Sequence, residues 1–156
     1  MGNLYMMDLY RGKRVDNNEW VYGFYFCIYH NDNREHLHHF IIPLNTPILE
    51  DIPIGKIQVE VDPNTIDKYV GKNDQKNKMI FENDIIKAQP YGPRSDIEIR
   101  KVVFNDRTCG FEMWWNVVVG AYGEQATYTR NFANSENYRT FEVIGNIHDN
   151  PELLSN

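Results

Sequence analysis

A histidine-rich segment is the first place in this sequence where residue type and spacing could support chemistry. His36 and His38 are two positions apart, so on a strand both imidazoles would lie on one face, a spacing that metal sites use. His39 would point to the opposite face, and further ligands would have to come from carboxylates such as Asp32 or Glu35. A polar cluster of this kind is also typical of a solvated hairpin tip, and we favour that interpretation over a metal site.

Nucleophiles and paired acids are the next candidates. Cys27 lies inside an aromatic stretch and Cys109 lies in a predicted turn, and neither has the surroundings typical of a catalytic cysteine. The serines lack a Gly-x-Ser-x-Gly turn, and the sequence has no glycine-rich phosphate loop. Glu82 and Asp84 could form an acid pair on a strand, but we expect Asp84 to accept backbone hydrogen bonds in a turn. The sequence therefore predicts a protein that is not an enzyme and that uses no cofactor.

Aromatic and basic residues together suggest a binding surface. Aromatic residues make up 13% of the chain, which exceeds what a core of this size needs. Exposed rings beside Arg11, Lys13 and Arg14 could stack on bases or anchor a protein partner. Trp114 and Trp115 are consecutive and must face opposite sides of a strand, so we expect one in the core and the other at an interface.

Composition and charge narrow the class of protein. A chain of 156 residues with 42% hydrophobic and 24% charged residues fits one globular domain that needs no metal or disulfide for stability. A net charge of −6 disfavours nucleic-acid binding, because phosphate contacts need a clustered positive field. The sequence has no apolar run that would indicate a signal peptide or a membrane span. We expect a cytoplasmic protein whose two cysteines are buried thiols.

The elements that would position these residues are mostly short strands separated by turns. Residues 16–18 predict a tight turn, followed by a strand with three aromatic residues on one face and with Trp20 in the core. Further strands are expected over residues 36–42, 57–61, 80–88 with a kink at 82–84, 97–104, 111–119 and 138–147. Asp62 and Pro63 are favoured at a helix start, and this helix would end at Tyr69 because Gly71 follows. The pattern predicts a mostly β fold, as a small barrel or coiled sheets.

Three blocks of sequence carry a resemblance to a known family. They are residues 11–23, which include Trp20 and Gly23; residues 61–86, which include Asp62, Pro63, Tyr69, Gly71, Glu82 and Asp84; and residues 141–154, which include Gly145, Asn146 and Pro151. In content and order these blocks resemble the YopX family of small phage and prophage proteins. The family usually has Gly where this chain has Asn83 and Lys78, and Asn is a residue that tolerates a left-handed backbone.

The resemblance implies a β-rich fold of coiled sheets or SH3-like barrel lobes that can assemble into oligomers, with no established activity. We expect a single domain over residues 1–156, with an N-terminal lobe over about 1–72 and a C-terminal barrel-like lobe over about 76–156. Protein interaction or homo-oligomer formation is the favoured function. Nucleic-acid binding through a local basic-aromatic patch is the alternative, and a metal-dependent enzyme built around His36 and His38 is a distant third.

Overall fold

The computed structural model describes residues 8–29, 36–46, 53–90, 97–119, 124–131 and 138–155. These residues form a six-stranded and a five-stranded antiparallel sheet, and no α-helix occurs among them. The prediction of a mostly β protein is therefore confirmed. The chain divides into two compact units, of which the first ends at Tyr69 and the second begins at Val70.

The first unit is built on the sheet order β4-β3-β2-β1-β5. Its strands are β1 (Tyr10–Lys13), β2 (Trp20–Tyr29), β3 (Leu37–Pro43), β4 (Val59–Glu60) and the beginning of β5 (Asp67–Asn73). The tight turn predicted at residues 16–18 lies between β1 and β2 and contains Asn18 at φ 62°, a left-handed conformation that asparagine tolerates.

The core of the first unit lies against one face of this sheet. Alternation along β2 places Val21 and Gly23 on the buried face and Trp20 on the opposite one. Val21, Ile41 and Val61 form the buried cluster, and burial of each such side chain is worth about 1.5–3 kcal/mol. The expectation that Trp20 belongs to the core is wrong, because its strand position faces away from these residues and the side chain is only half-buried.

Gly23 allows β2 and β3 to approach closely. A Cβ atom at this position would overlap the backbone oxygen of Ile42 and would lie 3.0 Å from Cγ2 of Ile41. A backbone oxygen cannot rotate out of the way, so the pairing of β2 with β3 requires glycine here.

The predicted helix after Asp62 starts where expected. Oδ1 of Asp62 accepts a hydrogen bond from the amide of Asn64 at 2.9 Å, and a short 3-10 helix spans Pro63–Thr65. Its predicted extension to Tyr69 is wrong. Ile66 is already extended, with φ −77° and ψ 111°.

Pairing between strands explains why this helix is so short. Asp67 begins β5, which pairs with β1 through Tyr10↔Lys68 and Arg11↔Asp67. This tertiary pairing overrides the local helix signal. Gly71, which we expected to end the helix, lies inside β5 with φ 82°.

The second unit carries a larger core. Its five-stranded sheet has the order β10-β9-β8-β7-β11, and β6 lies next to β5 in the other sheet. The strands are β6 (Met79–Phe81), β7 (Asp84–Pro90), β8 (Glu98–Asn105), β9 (Gly110–Val119), β10 (Glu124–Asn131) and β11 (Tyr138–Asn146). The buried cluster consists of Ile80, Ile86, Ala88, Val102, Met113, Phe141 and Val143. The strands predicted over 97–104, 111–119 and 138–147 correspond to β8, β9 and β11, whereas β10 was not predicted.

A turn interrupts the strand that we predicted over residues 80–88. Asn83 has φ 62°, and its amide donates to the carbonyl of Val102 at 2.9 Å. Asp84 is fully buried, and its Oδ2 accepts a hydrogen bond from the amide of Phe81 at 2.8 Å. The predicted role of Asp84 as a turn acceptor is confirmed. It lies in the interior, whereas Glu82 is half-buried in the turn itself.

The third sequence block, residues 141–154, consists of the end of β11, a turn and a short 3-10 helix. A Cβ at Gly145 would lie 2.6 Å from Oδ1 and 3.0 Å from Cβ of Asn150, so a larger residue here would require the Asn150 side chain to shift. Oδ1 of Asn146 accepts from the amides of His148 and Asp149 at 2.9 and 3.0 Å. Pro151 then begins the 3-10 helix Pro151–Leu154. Among the described residues, no helix is long and apolar enough to cross a membrane.

Candidate functional site

Arg11, the first residue of the predicted basic patch, is buried. On β1 it pairs in register with Tyr22 of β2 and with Asp67 of β5, so that strands lie on both sides of it. Nε and Nη2 of Arg11 donate to Oδ2 of Asp67 at 3.0 and 2.8 Å, and the guanidinium lies 4.7 Å from the ring centroid of Trp20. With 4% of its surface exposed, Arg11 holds the first unit together and does not present its charge to a nucleic acid.

Lys13 and Arg14 also contact other residues of the first unit. Nζ of Lys13 lies 5.4 Å from the ring centroid of Trp20, and the Lys13 amide donates to Oγ1 of Thr65 at 2.8 Å. Arg14 forms a two-point ion pair with Asp16 at 2.8 and 2.6 Å, and this hydrogen bonding raises the pKa of Arg14. The three basic residues therefore do not form one open positive surface.

Of the two consecutive tryptophans, Trp114 is the one whose side chain the structure describes. It lies opposite Lys101 in the β8–β9 pairing and is 38% exposed. Its Nε1 donates to Oε2 of Glu112 at 3.3 Å, and Glu112 also accepts from Oγ1 of Thr108 at 3.0 Å. The side chain of Trp115 lies outside the described residues, as does any interface that it would form.

The histidines point to two different faces of β3, as expected. Nδ1 of His38 lies 2.7 Å from Oε1 of Glu60, and Nδ1 of His39 lies 2.7 Å from the hydroxyl of Tyr25. His36 is exposed at the start of the described segment. In the described part of the chain, no three His, Cys, Asp or Glu side chains are grouped so that they could hold a metal ion. Asp32 and Glu35, the carboxylates considered as further ligands, lie outside the described residues.

The prediction that both cysteines are buried is wrong, since Cys27 and Cys109 are exposed. Cys109 lies in a turn with φ 49°, and its Sγ lies 3.4 Å from the carbonyl oxygen of Asp106. Cys27 lies on β2 beyond the stretch that pairs with β1, which ends at Gly23. Among the described residues, β3 is the strand that pairs with Cys27.

Cys27, Tyr25 and His39, which no sequence pattern connected, lie on one face of the paired strands β2 and β3. Cys27 is directly opposite His39 in the β2–β3 pairing, and Tyr25 is two residues before it on the same face. Burial raises the pKa of Tyr25 to about 12, and interactions with the Cys27 thiol and with Tyr10 contribute to the same shift. Only the alternation of Tyr25 and Cys27 was visible in the sequence, since the register that brings His39 alongside is a tertiary property.

The far end of β2 and β3 forms a surface that we call the hairpin end, defined as Cys27–Tyr29 and Leu37–His39. Its exposed apolar side chains are Ile28 (47%), Tyr29 (56%) and Leu37 (41%). Ile28 faces one side of the two strands, and Tyr29 and Leu37 face the other. The hairpin end therefore presents apolar groups to solvent on both faces.

A buried carboxylate organises the second unit. Oδ1 of Asp74 accepts from the amides of Lys76 and Lys78 at 2.8 and 2.9 Å, and Oδ2 accepts from the amide of Val143 at 3.0 Å. Burial would raise the pKa of Asp74, but these three amide donors outweigh it and hold the pKa below its ordinary value. Asp74 thus fastens the turn after β5 to β11, which is a structural role.

Comparison with known proteins gives a family and a fold. The sequence matches a family described as "YopX protein" over residues 9–155. No curated protein matches the chain. Among solved structures, the chain is similar to "protein EF1440 from Enterococcus faecalis", with a TM-score of 0.50 and 20% sequence identity over 96% of this chain and 99% of that one. At this identity the structural match concerns the fold alone.

Proposed function

Because the chain belongs to the YopX family, we propose that it is a phage- or prophage-associated cytoplasmic module without enzymatic activity that binds protein, in the first place further copies of itself. The observation that carries this proposal is the hairpin end, where Ile28, Tyr29 and Leu37 are exposed on both faces of two paired strands.

The edges of the hairpin end support a strand-pairing mode of association. Strand β1 pairs with β2 from Trp20 to Gly23, and β4 pairs with β3 at Phe40 and Ile41, followed by a hydrogen bond from the Val61 amide to the His39 carbonyl. Among the described residues, no further strand lies along the outer edge of β2 from Phe24 to Tyr29. An open strand edge offers backbone donors and acceptors to another chain.

The composition of these strands also favours association. Neither the ten residues of β2 nor the seven of β3 include a Lys, Arg, Asp or Glu. Charged side chains are the usual means by which a sheet edge is kept from pairing with another chain. Within β2 and β3 themselves, the strand edges therefore lack the Lys, Arg, Asp or Glu side chains that would oppose pairing with a second copy.

Nucleic-acid binding and metal-dependent catalysis receive less support. Arg11 is paired with Asp67 inside the first unit, and Arg14 is paired with Asp16. His38 and His39 face opposite sides of β3 and have separate partners, Glu60 and Tyr25. No specific observation favours either alternative over protein binding.

Size-exclusion chromatography with light scattering tests the proposal, with absorbance read at two wavelengths to detect nucleic acid. The wild-type chain is expected to run above its monomer mass of 18.4 kDa. Ile28→Lys places a charge on the hairpin end and is expected to shift the mass to that of a monomer. Ile54→Lys is the matched control, because Ile54 is also an exposed isoleucine of the first unit, at 57%.

The outcomes separate the alternatives. An oligomer that is lost in Ile28→Lys and kept in Ile54→Lys supports assembly through the hairpin end. An oligomer that survives both changes places the interface elsewhere, with Trp114 as the next residue to substitute. A monomer that carries nucleic acid would overturn the proposal.

A further inference from the structure

The five-stranded sheet of the second unit has a group of side chains on the side opposite its core, which we call the open face: Lys87, Ile99, Lys101 and Trp114. Lys87 lies opposite Ile99 in the β7–β8 pairing, and Lys101 lies opposite Trp114 in the β8–β9 pairing. Ile99 and Lys101 are two residues apart on β8 and therefore point the same way. Their neighbours along the strands belong to the buried cluster: Ala88, Val102 and Met113. The open face thus alternates cationic and apolar groups, and Ile99 and Trp114 are 37% and 38% exposed.

The two lysines of the open face carry charges that the described residues do not neutralise by ion pairing. Lys87 is exposed and Lys101 is half-buried, and neither forms an ion pair within the described part of the chain. Glu142 lies opposite Lys87 in the β7–β11 pairing, but its carboxylate pairs with Nζ of Lys76 at 2.5 Å. In a chain with net charge −6, the open face is therefore a local positive region that would attract an acidic group.

A segment of this chain already covers the neighbouring end of the same sheet face. Ile85, on the same side of the sheet as the lysines, is fully buried. The 3-10 helix Pro151–Leu154 contacts β8, and a Cβ at Gly145, opposite Ile85, would lie 2.9 Å from Cδ1 of Leu153. Residues 149–154 carry two acidic residues, two leucines and no lysine or arginine. Acidic and aliphatic residues together are thus compatible with this surface.

We propose that the open face binds an acidic peptide segment of another protein. A leucine, isoleucine or aromatic side chain of the partner would pack against Ile99 and Trp114, and its carboxylates would lie at Lys87 and Lys101. Apolar contact supplies most of the affinity in such a site, and the lysines set the preference for acidic sequences. The open face belongs to the second unit, so this binding does not depend on assembly through the hairpin end.

The surroundings of Trp114 favour a peptide over a nucleic acid. Oε2 of Glu112 accepts a hydrogen bond from Nε1 of Trp114 at 3.3 Å, which holds a carboxylate beside the ring. A base stacked on Trp114 would bring its phosphates close to this carboxylate, whereas a peptide can place an apolar side chain there and its acidic residues at the lysines. The other exposed apolar residues are Ile97 and Ile99, whose aliphatic side chains offer no ring on which a base could stack.

An array of short immobilised peptides, random in sequence and spanning acidic to basic net charge, tests the proposal when it is probed with the full-length chain. The bound peptides are expected to be enriched in Asp and Glu together with Leu, Ile or aromatic residues. The Ile28→Lys variant, which is altered at the hairpin end, is expected to bind the same peptides, so failure of self-association and failure of the open face can be told apart. A bound set without acidic enrichment, or no bound peptide, would overturn the proposal.

Fluorescence anisotropy with the strongest peptide of the array then locates the site. Lys87→Glu is expected to weaken the affinity at least about fivefold, because it replaces an attraction by a repulsion. Lys56→Glu is the matched control, since it reverses an exposed lysine of the first unit and changes the net charge equally, and it is expected to have less than about a twofold effect. Ile99→Thr keeps a β-branched residue and removes apolar contact, with at least about a fivefold loss expected. Ile54→Thr is its control, because Ile54 is also exposed.

Three results of these measurements would contradict the proposal. Equal losses in Lys87→Glu and Lys56→Glu would show a response to net charge and not to the open face. Tighter binding of a single-stranded oligonucleotide than of the peptide, weakened by Ile99→Thr, would assign the open face to nucleic acid. A lower oligomeric mass for Lys87→Glu in size-exclusion chromatography would assign it to a second copy of the chain.

Discussion

The guanidinium of Arg11 donates two hydrogen bonds to one carboxylate oxygen of Asp67, a residue 56 positions away in the sequence. Their side chains are 5% and 0% exposed. The pair joins β1 to β5, and the ring of Trp20 lies against the guanidinium. An arginine that the sequence suggested for ligand binding is therefore committed to the fold.

Breaking this buried pair from one side should strongly destabilise the protein. Asp67→Asn would leave the Arg11 charge buried without its counter-charge, at a cost of about 3–5 kcal/mol in the free energy of unfolding. Urea denaturation, monitored by tryptophan fluorescence, measures this decrease in the free energy of unfolding. Asp16→Asn removes the exposed partner of the half-buried Arg14 and serves as the control, with no measurable change expected. A decrease in the free energy of unfolding well below this range for Asp67→Asn would contradict a structural role for the pair.

Asp74 should make stability depend on pH in the acid range. Its pKa is lowered in the folded state, so its contribution is present above the unfolded value of about 3.9 and is lost as pH falls through the folded pKa. Asp74→Asn is expected to cost about 1.5–3 kcal/mol at about pH 7, because three amides lose a charged acceptor. The difference from wild type should shrink on acidification.

Denaturant unfolding at about pH 7 and about pH 3 checks this expectation. Asp106→Asn is the control, because Asp106 is an exposed turn residue. A penalty for Asp74→Asn that stays constant over this range would show that charge plays no part in the interaction.

Gly23 should not tolerate even alanine. The added Cβ would overlap the backbone oxygen of Ile42, and overpacking against a rigid group costs up to about 3 kcal/mol. Gly55→Ala is a matched control, since a Cβ there meets nothing within 4 Å. Thermal unfolding monitored by circular dichroism compares the two. Equal melting temperatures would mean that β2 and β3 separate more easily than their pairing indicates.

Asn83 should be replaceable by glycine and not by valine. At φ 62° glycine carries no steric penalty, whereas a β-branched residue in the left-handed region costs about 1–2 kcal/mol. Melting temperatures of Asn83→Gly and Asn83→Val test this, and the glycine variant is expected to equal or exceed wild type. A lower melting temperature for Asn83→Gly would show that the asparagine side chain contributes more than its backbone conformation.

Patterns confined to neighbouring residues were predictable. Alternation along β2 and β9 identified these strands, and turn residues on either side marked β8 and β11, because successive side chains of a strand point to opposite faces. The turn at Asn18, the cap at Asp62 and the acceptor role of Asp84 followed from side chains that bond to nearby backbone. The prediction of a helix over Pro63–Tyr69 was wrong in its extent, because a strong local start signal carries no information about pairing with a distant strand.

The sequence by itself determined the mostly β class, the turns and the membership of a family, because alternation, turn residues and motif order are local properties. Only the tertiary structure decided which side chains meet. It buried Arg11 against Asp67 and brought His39 opposite Cys27. Strand register sets these contacts, because a shift of the pairing by one residue would move every side chain of the strand to the opposite face of the sheet. For this reason the candidate site became visible only when β2 and β3 were paired.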